Sequence, residues 1–328
     1  GVDCRSPGEG QTQTIWRHAS LVWGEASLTK CCDTMMTLEH LAELVEQHRA
    51  ATQVRVREFD VRGKHLFFNT RPAIMGVINL SAESWYRESV CLNSEHAIHR
   101  GQVMHAQGAD LVDVVAESTL AHAARVHDAL QNSRLLPVVR ALNRRGIAVS
   151  VETYEPEVAR ACLDAGACVL NLTGTVRTEE IYRMVAAHDA AVIICYVQGP
   201  NVREVGDFDF SRDPTDQMYE YFARQTEMAT RNGAEKIFID PGLGFYYRNL
   251  QDSALRVRHQ MRIFLNTFRF RALGFPTCHA LPHAFEFFAE EVRSAEPFFA
   301  VLAALGKTDL LPTHEVPRIK SVLDTLRV

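Results

Sequence analysis

From Pro72 onward the sequence repeats one unit, a short apolar run followed by a longer stretch, often with a helical period. The apolar runs fall at residues 73–80, 111–115, 147–151, 168–172, 190–197, 236–239, 276–280 and 308–311, which makes eight candidate strands. The clearest helical periods lie between them, at 157–165, 179–187, 216–231, 255–270 and 284–305. Unbroken apolar runs separated by helices point to parallel strands buried on both faces. Eight such units over about 250 residues match a closed (β/α)8 barrel in size and order. The alternative, an open doubly wound sheet, more often has a glycine-rich phosphate loop after its first strand, and none is present here. The expected fold is therefore α/β, a (β/α)8 TIM barrel with an N-terminal extension.

The extension divides in two. Residues 1–34 have no sustained period and lack the layout of a secretory signal, so they are expected to be loose, and they need not belong to the natural product. In residues 35–70, Thr37 caps an expected helix with His40 at its third position, and residues 54–68 alternate like a hairpin around Arg62-Gly63. That hairpin would form a two-stranded plug ahead of the main fold, which is expected to occupy residues 71–328 as one domain.

Composition narrows the function. The net charge of -5 gives no sign of the basic bias of a nucleic-acid binder, and no apolar run approaches the roughly 18 residues that span a bilayer. A partner that is neither nucleic acid nor membrane is expected, namely a small molecule. Eight cysteines in 328 residues, with no C-x-x-C pair, are too sparse for a disulfide scaffold. Buried thiols in a reducing cytoplasm are expected, and the Cys31-Cys32 pair lacks a histidine neighbour for a metal site.

In a barrel, function gathers where the strands end. The sixth strand delivers Asp240 to its mouth in Lys236-Ile237-Phe238-Ile239-Asp240-Pro241-Gly242. The other strand ends supply Asn79, Glu152-Thr153, Asn171 and His314-Glu315, and the second strand carries Asp113. Any one of these residues caps turns elsewhere, and Asp240 taken alone is as well explained that way. Glu152, Asn171 and Asp240 together offer two carboxylate acceptors and an amide, a set suited to a flat heterocycle with adjacent N–H groups. Asn79 and His314 could hold an anion or a hydrated Mg2+.

These same residues carry a resemblance. Met75-Gly76-Val77-Ile78-Asn79-Leu80-Ser81-Ala82-Glu83-Ser84-Trp85 resembles the first signature of the dihydropteroate synthases. Residues 108–113 with Glu117-Ser118-Thr119 are similar to the second, and Val149-Ser150-Val151-Glu152-Thr153-Tyr154 to a third. Asp164-Ala165-Gly166-Ala167 with Asn171, then Ile239-Asp240-Pro241-Gly242-Leu243-Gly244-Phe245, continue the match in order, so that it covers residues 72–316. The family is a (β/α)8 barrel that joins p-aminobenzoate to a hydroxymethyl-dihydropterin diphosphate with loss of pyrophosphate, in folate synthesis, using Mg2+.

The resemblance implies a site. Glu152, Asn171, Asp240, Thr119 and Phe245 would bind substrate; Asp113, Asp240 and His314 would act in catalysis; and Asn79 would lie on the metal side with Mg2+ as cofactor. The partners would be a pterin diphosphate and an aryl amine, and a homodimer is the assembly considered. The departures fall on cations. Leu120 stands where the family has an arginine, the stretch Cys278-His279-Ala280-Leu281-Pro282-His283-Ala284 where its seventh strand ends in S-R-K, and Pro312-Thr313-His314 where it has R-x-H. His279, His283, Arg248 and Arg293 are candidate substitutes. A pterin-binding or regulatory relative without synthase activity is the alternative.

Overall fold

The computed structural model describes residues 36–81, 89–118, 125–244 and 247–328. The expected loose segment 1–34 lies outside them, as do residues 82–88, Thr119 and Phe245.

The eight runs build one parallel barrel wall. Seven are strands: β3 (Ala73–Asn79), β4 (Leu111–Val115), β5 (Val149–Thr153), β6 (Val169–Leu172), β7 (Ala191–Cys195), β8 (Lys236–Asp240) and β9 (Leu310–Thr313). They pair in the order β8-β7-β6-β5-β4-β3-β9. Segment 276–280 closes the ring through single bridges, Ile239 with Thr277 and Cys278 with Leu310. Its bonds include Cys278 N–H to Ile239 O at 2.8 Å and Leu310 N–H to Thr277 O at 2.9 Å. Pro276 has no N–H to donate and joins the ladder through its carbonyl alone, accepting from Ile239 N–H at 3.0 Å.

Helices cover the outside, and their ends follow from local chemistry. Asn93 caps the helix Ser94–Ala106 by accepting from His96 N–H at 2.8 Å. Asp213 and Pro214 open the helix Pro214–Arg231, the aspartate accepting from Thr215 N–H at 2.8 Å. Gly76 of β3 has no side chain because a Cβ there would lie 2.8 Å from Met104 Sδ on the covering helix.

The stretch expected as one helix over 284–305 is broken. A single turn (Phe285–Phe288) and a 3-10 segment (Ala289–Ser294) precede the regular helix Ala295–Leu305. Ala284 and Ala289 have φ of 43° and 44°, a backbone that no continuing helix tolerates. The break sets Glu296 in the first turn of the final piece.

The N-terminal elements form as expected. The helix Leu38–Gln47 starts after Thr37, whose N–H donates to His40 Nδ1 at 3.2 Å. Strands β1 (Phe59–Val61) and β2 (Lys64–Leu66) pair antiparallel around Arg62 and Gly63, which have φ of 52° and 72° as a two-residue hairpin turn requires. Beyond Phe59 the ladder is continued by a side chain, since Asn69 bonds both Val56 N–H and Val56 O at 2.9 Å. The hairpin seals one end of the barrel, where the rings of Phe59 and Phe68 lie 5.1 and 5.3 Å from that of Phe238. Asp110 fastens it there by accepting from Lys64 at 2.7 Å and from Arg71 at 2.9 Å.

Cys162, Cys195 and Cys278 are buried free thiols, whereas Cys168 and Cys91 are partly exposed. Among the described residues no helix is long and apolar enough to cross a membrane.

Candidate active site

Strand pleating decides which side chains enter the barrel. On β4, β6 and β8 the inward residues Leu111, Val169 and Phe238 belong to the interior apolar core. Two positions further along the same strands stand Asp113, Asn171 and Asp240, which line a cavity of about 190 Å3 at the opposite end from the hairpin. Asn79, Glu152 and His314 line the same cavity. The register explains their gathering, because Asn79 pairs with Val115, Val115 with Glu152, and Glu152 with Asn171.

On one side the cavity is a cluster of acids and amides. Asn171 Nδ2 donates to Asp113 Oδ2 at 3.2 Å, while the other carboxylate oxygen of Asp113 is buried without a hydrogen-bond partner. Cys195 lies between Asn171 Oδ1 and Asp240 Oδ2, its thiol 3.6 and 3.9 Å from them. The turn after β8 holds Asp240 in place. Gly242, at φ 70°, points its N–H to Asp240 Oδ1 at 2.8 Å, a conformation that glycine adopts without cost.

Burial raises all three carboxylates. Asp240 is pushed up to about 7 by burial, against the opposing bonds from Gly242 N–H and Cys195. Asp113 is raised by burial, which outweighs Ser150 and Asn171. Glu152 is driven well above the ordinary carboxylate range by burial, with the neighbouring charges of Asp113, Asp240 and Glu117 adding to it. A wall of this kind favours a ligand that brings N–H groups or positive charge. Glu117 itself is committed elsewhere, pairing with Arg203 at 3.0 Å and accepting from Tyr154 Oη at 2.5 Å.

The other side of the mouth is built from histidines. His314 Nδ1 lies 2.9 Å from Glu296 Oε1, and its Nε2 lies 3.4 Å from Asn79 Nδ2. Asn79 Nδ2 also donates to Ser89 Oγ at 2.5 Å, which leaves the amide oxygen as the acceptor toward a ligand. His283 joins them on the cavity wall, its ring 5.1 Å from that of His314.

The candidate substitutes for the missing cations separate. His279 is fully buried and turned into the helix layer, with Nε2 2.8 Å from Thr267 Oγ1, and burial lowers its pKa to about 3. Arg248 is exposed beside Asp207 at 3.4 Å and does not line the cavity. Arg293 forms a two-pronged pair with Glu315 at 2.7 and 2.9 Å. Only His283 of the four faces the cavity. The roles expected of Thr119 and Phe245 fall outside the described residues.

Three contributors were not foreseen. Cys195 was legible, since it lies two residues after Ile193 on the inward face of β7. Arg256 lines the cavity from the helix Ser253–Asn266, its guanidinium held by Leu250 O and Gln251 O at 3.1 Å and Glu286 at 2.6 Å. Glu296 carried no signal, because its approach to His314 depends on the broken helix. Among the described lining residues there is no lysine.

Comparison with known proteins agrees with this geometry. A dihydropteroate synthase from Synechocystis sp. is 30% identical over 188 residues, which cover 56% of this chain and 65% of that protein. A probable bifunctional folylpolyglutamate synthase/dihydropteroate synthase from Halobacterium salinarum is 29% identical over 75% of this chain, but only 30% of its own length is matched. The type-3 dihydropteroate synthase of Escherichia coli is 25% identical over 78% of this chain and 97% of its own. Among solved structures, Xanthomonas albilineans dihydropteroate synthase, in complex with indole-2-carboxylic acid and 6-chloroguanine, superposes with a TM-score of 0.67 at 25% identity, covering 83% of this chain and 97% of that one. The family model described as pterin binding enzyme matches residues 75–274, most of the barrel and every inward-facing acid described above. The chain belongs to the pterin binding enzyme family.

Proposed function

We propose that this protein is a dihydropteroate synthase-like transferase, joining p-aminobenzoate or another aryl amine to a hydroxymethyl-dihydropterin diphosphate in folate biosynthesis. The observation that carries the reading is the convergence of Glu152, Asn171 and Asp240 on one cavity. A pterin presents an amino group and ring N–H groups along one edge. Carboxylates raised by burial gain most from such donors, because each bond stabilises the ionised form. Asp113, tied to Asn171, would hold that amide in position.

The diphosphate would lie toward Asn79 and His314. A hydrated Mg2+ fits there through the Asn79 amide oxygen, since that ion binds few protein oxygens and keeps its waters. Bound there, it would offset the charge of the diphosphate. In the reaction the bond from the pterin methylene carbon to the diphosphate oxygen breaks, a C–N bond forms to the arylamine nitrogen, and that nitrogen loses its proton. The residues' task is to hold the electron-poor pterin against the acid wall while pyrophosphate departs. A small-molecule enzyme working in the cytoplasm suits this reading.

A second reading, a pterin-binding relative without transfer, draws on one observation. His279 is turned away from the cavity, and Ala280 and Leu281 line it where the resembled family has its lysine segment. One experiment separates the two. Purified protein is incubated with the pterin diphosphate, Mg2+ and p-aminobenzoate, and pyrophosphate and dihydropteroate are measured separately. Both products support the synthase; pyrophosphate alone points to another amine; pterin binding without turnover overturns the transferase reading.

A further inference from the structure

The histidine side of the mouth contains a donor set of which the proposed reaction draws on His314 alone. His283, Glu296 and His314 each present one ligand atom, and these atoms lie within 4.8 Å of one another. Glu296 Oε1 is 2.9 Å from His314 Nδ1 and 3.7 Å from His283 Nδ1. At metal–ligand lengths of about 2.1 Å, donors so spaced subtend roughly 90° and 120° at a shared ion. We propose that His283, Glu296 and His314 form a binding site for a transition-metal dication of the zinc class.

The surroundings support a built site. Glu296 is 1% exposed, and its orientation is fixed from behind by the Thr313 hydroxyl and by the N–H groups of His314 and Glu315 at 3.1 and 3.3 Å. Outer bonds of this kind orient a metal-ligating carboxylate. Two imidazoles select a borderline ion over the all-oxygen preference of Mg2+, so this site is distinct from the one at Asn79. His314 would bind through Nδ1, which places the imidazole proton on Nε2. Three protein ligands leave a coordination position open, and both histidines line the cavity, so that position faces it. A dication there would place positive charge where the chain lacks the arginine and lysine of the family it resembles. That last use rests on the synthase reading, whereas the site itself does not.

The test uses the full chain, stripped with a chelator and titrated with Zn2+ by calorimetry and with Co2+ by visible absorption, in the absence of any pterin. One ion per chain is expected, with the weak d–d bands of a nitrogen and oxygen ligand set. His283→Gln, on the cavity wall, should lower Zn2+ affinity by at least roughly 10-fold, the loss that removing a ligand's outer partner alone causes, with its metal-free melting temperature serving as the check on folding. Unchanged Zn2+ affinity in a folded His283→Gln overturns the proposal, as does an intense thiolate charge-transfer band, which would place the ion on cysteines. Because no substrate is present, failure here leaves the transferase reading intact.

Discussion

The side-chain amide of Asn171 donates to Asp113 Oδ2 at 3.2 Å, linking β6 to β4 across the intervening strand. The second oxygen of Asp113 is already buried without a partner. Asn171→Ala should therefore cost about 1–3 kcal/mol, the usual penalty for stranding a buried polar group. Urea unfolding at neutral pH measures the loss, and an unchanged midpoint would mean that water replaces the amide. Pterin affinity should fall in the same variant.

Asp240 gives the protein a pH signature. Its carboxyl titrates near 7 in the folded chain, against the ordinary value of 3.8, so between these values the folded state holds a proton that the unfolded state has lost. This contribution to stability is complete below pH 3.8 and is lost as pH rises through about 7. Asp240→Asn keeps an oxygen for Gly242 N–H but cannot ionise. Its melting temperature should fall less than that of the parent between pH 5 and 8, and thermal scans across that range would show two parallel curves if Asp240 does not titrate there. The variant should also bind pterin several-fold to a hundredfold more weakly.

Asn79 faces Ser89 and His314 rather than the acid wall. Asn79→Ala is expected to weaken Mg2+-dependent binding of the pterin diphosphate by roughly tenfold while sparing a pterin that lacks the diphosphate. Titration of both ligands decides it, and equal losses would remove Asn79 from the diphosphate side.

Arg293 is bound to Glu315, which Arg318 also approaches at 3.3 Å. Arg293→Ala should lower stability by about 1–2 kcal/mol and leave pterin diphosphate affinity within about twofold. A large loss of affinity in calorimetry would show that the arginine leaves its partner when substrate arrives.

The hairpin acts on stability rather than on the site. Phe59 packs edge-on against Phe68 and Phe238, with ring centroids 5.2 and 5.1 Å away. Phe59→Ala should cost about 3–5 kcal/mol, read from denaturant unfolding, with pterin affinity of the folded protein unchanged. A drop in affinity would mean that strain passes along β8 to Asp240.

The sequence by itself determined the barrel, the hairpin turn and most of the acid wall. All three are encoded by local periodicity: apolar runs make strands, Arg62-Gly63 adopts the left-handed turn, and a polar residue two positions beyond an inward apolar one faces the mouth. Tertiary structure decided where the positive charge goes. Whether a histidine or arginine reaches the cavity depends on the side of the wall it leaves and the partner it finds, so His279 turns to Thr267 and Arg293 to Glu315. The meeting of Glu296 with His283 and His314 was likewise invisible. It depends on positive φ at Ala284 and Ala289, a backbone strained for any side chain but glycine, which long-range packing can impose and local sequence does not announce.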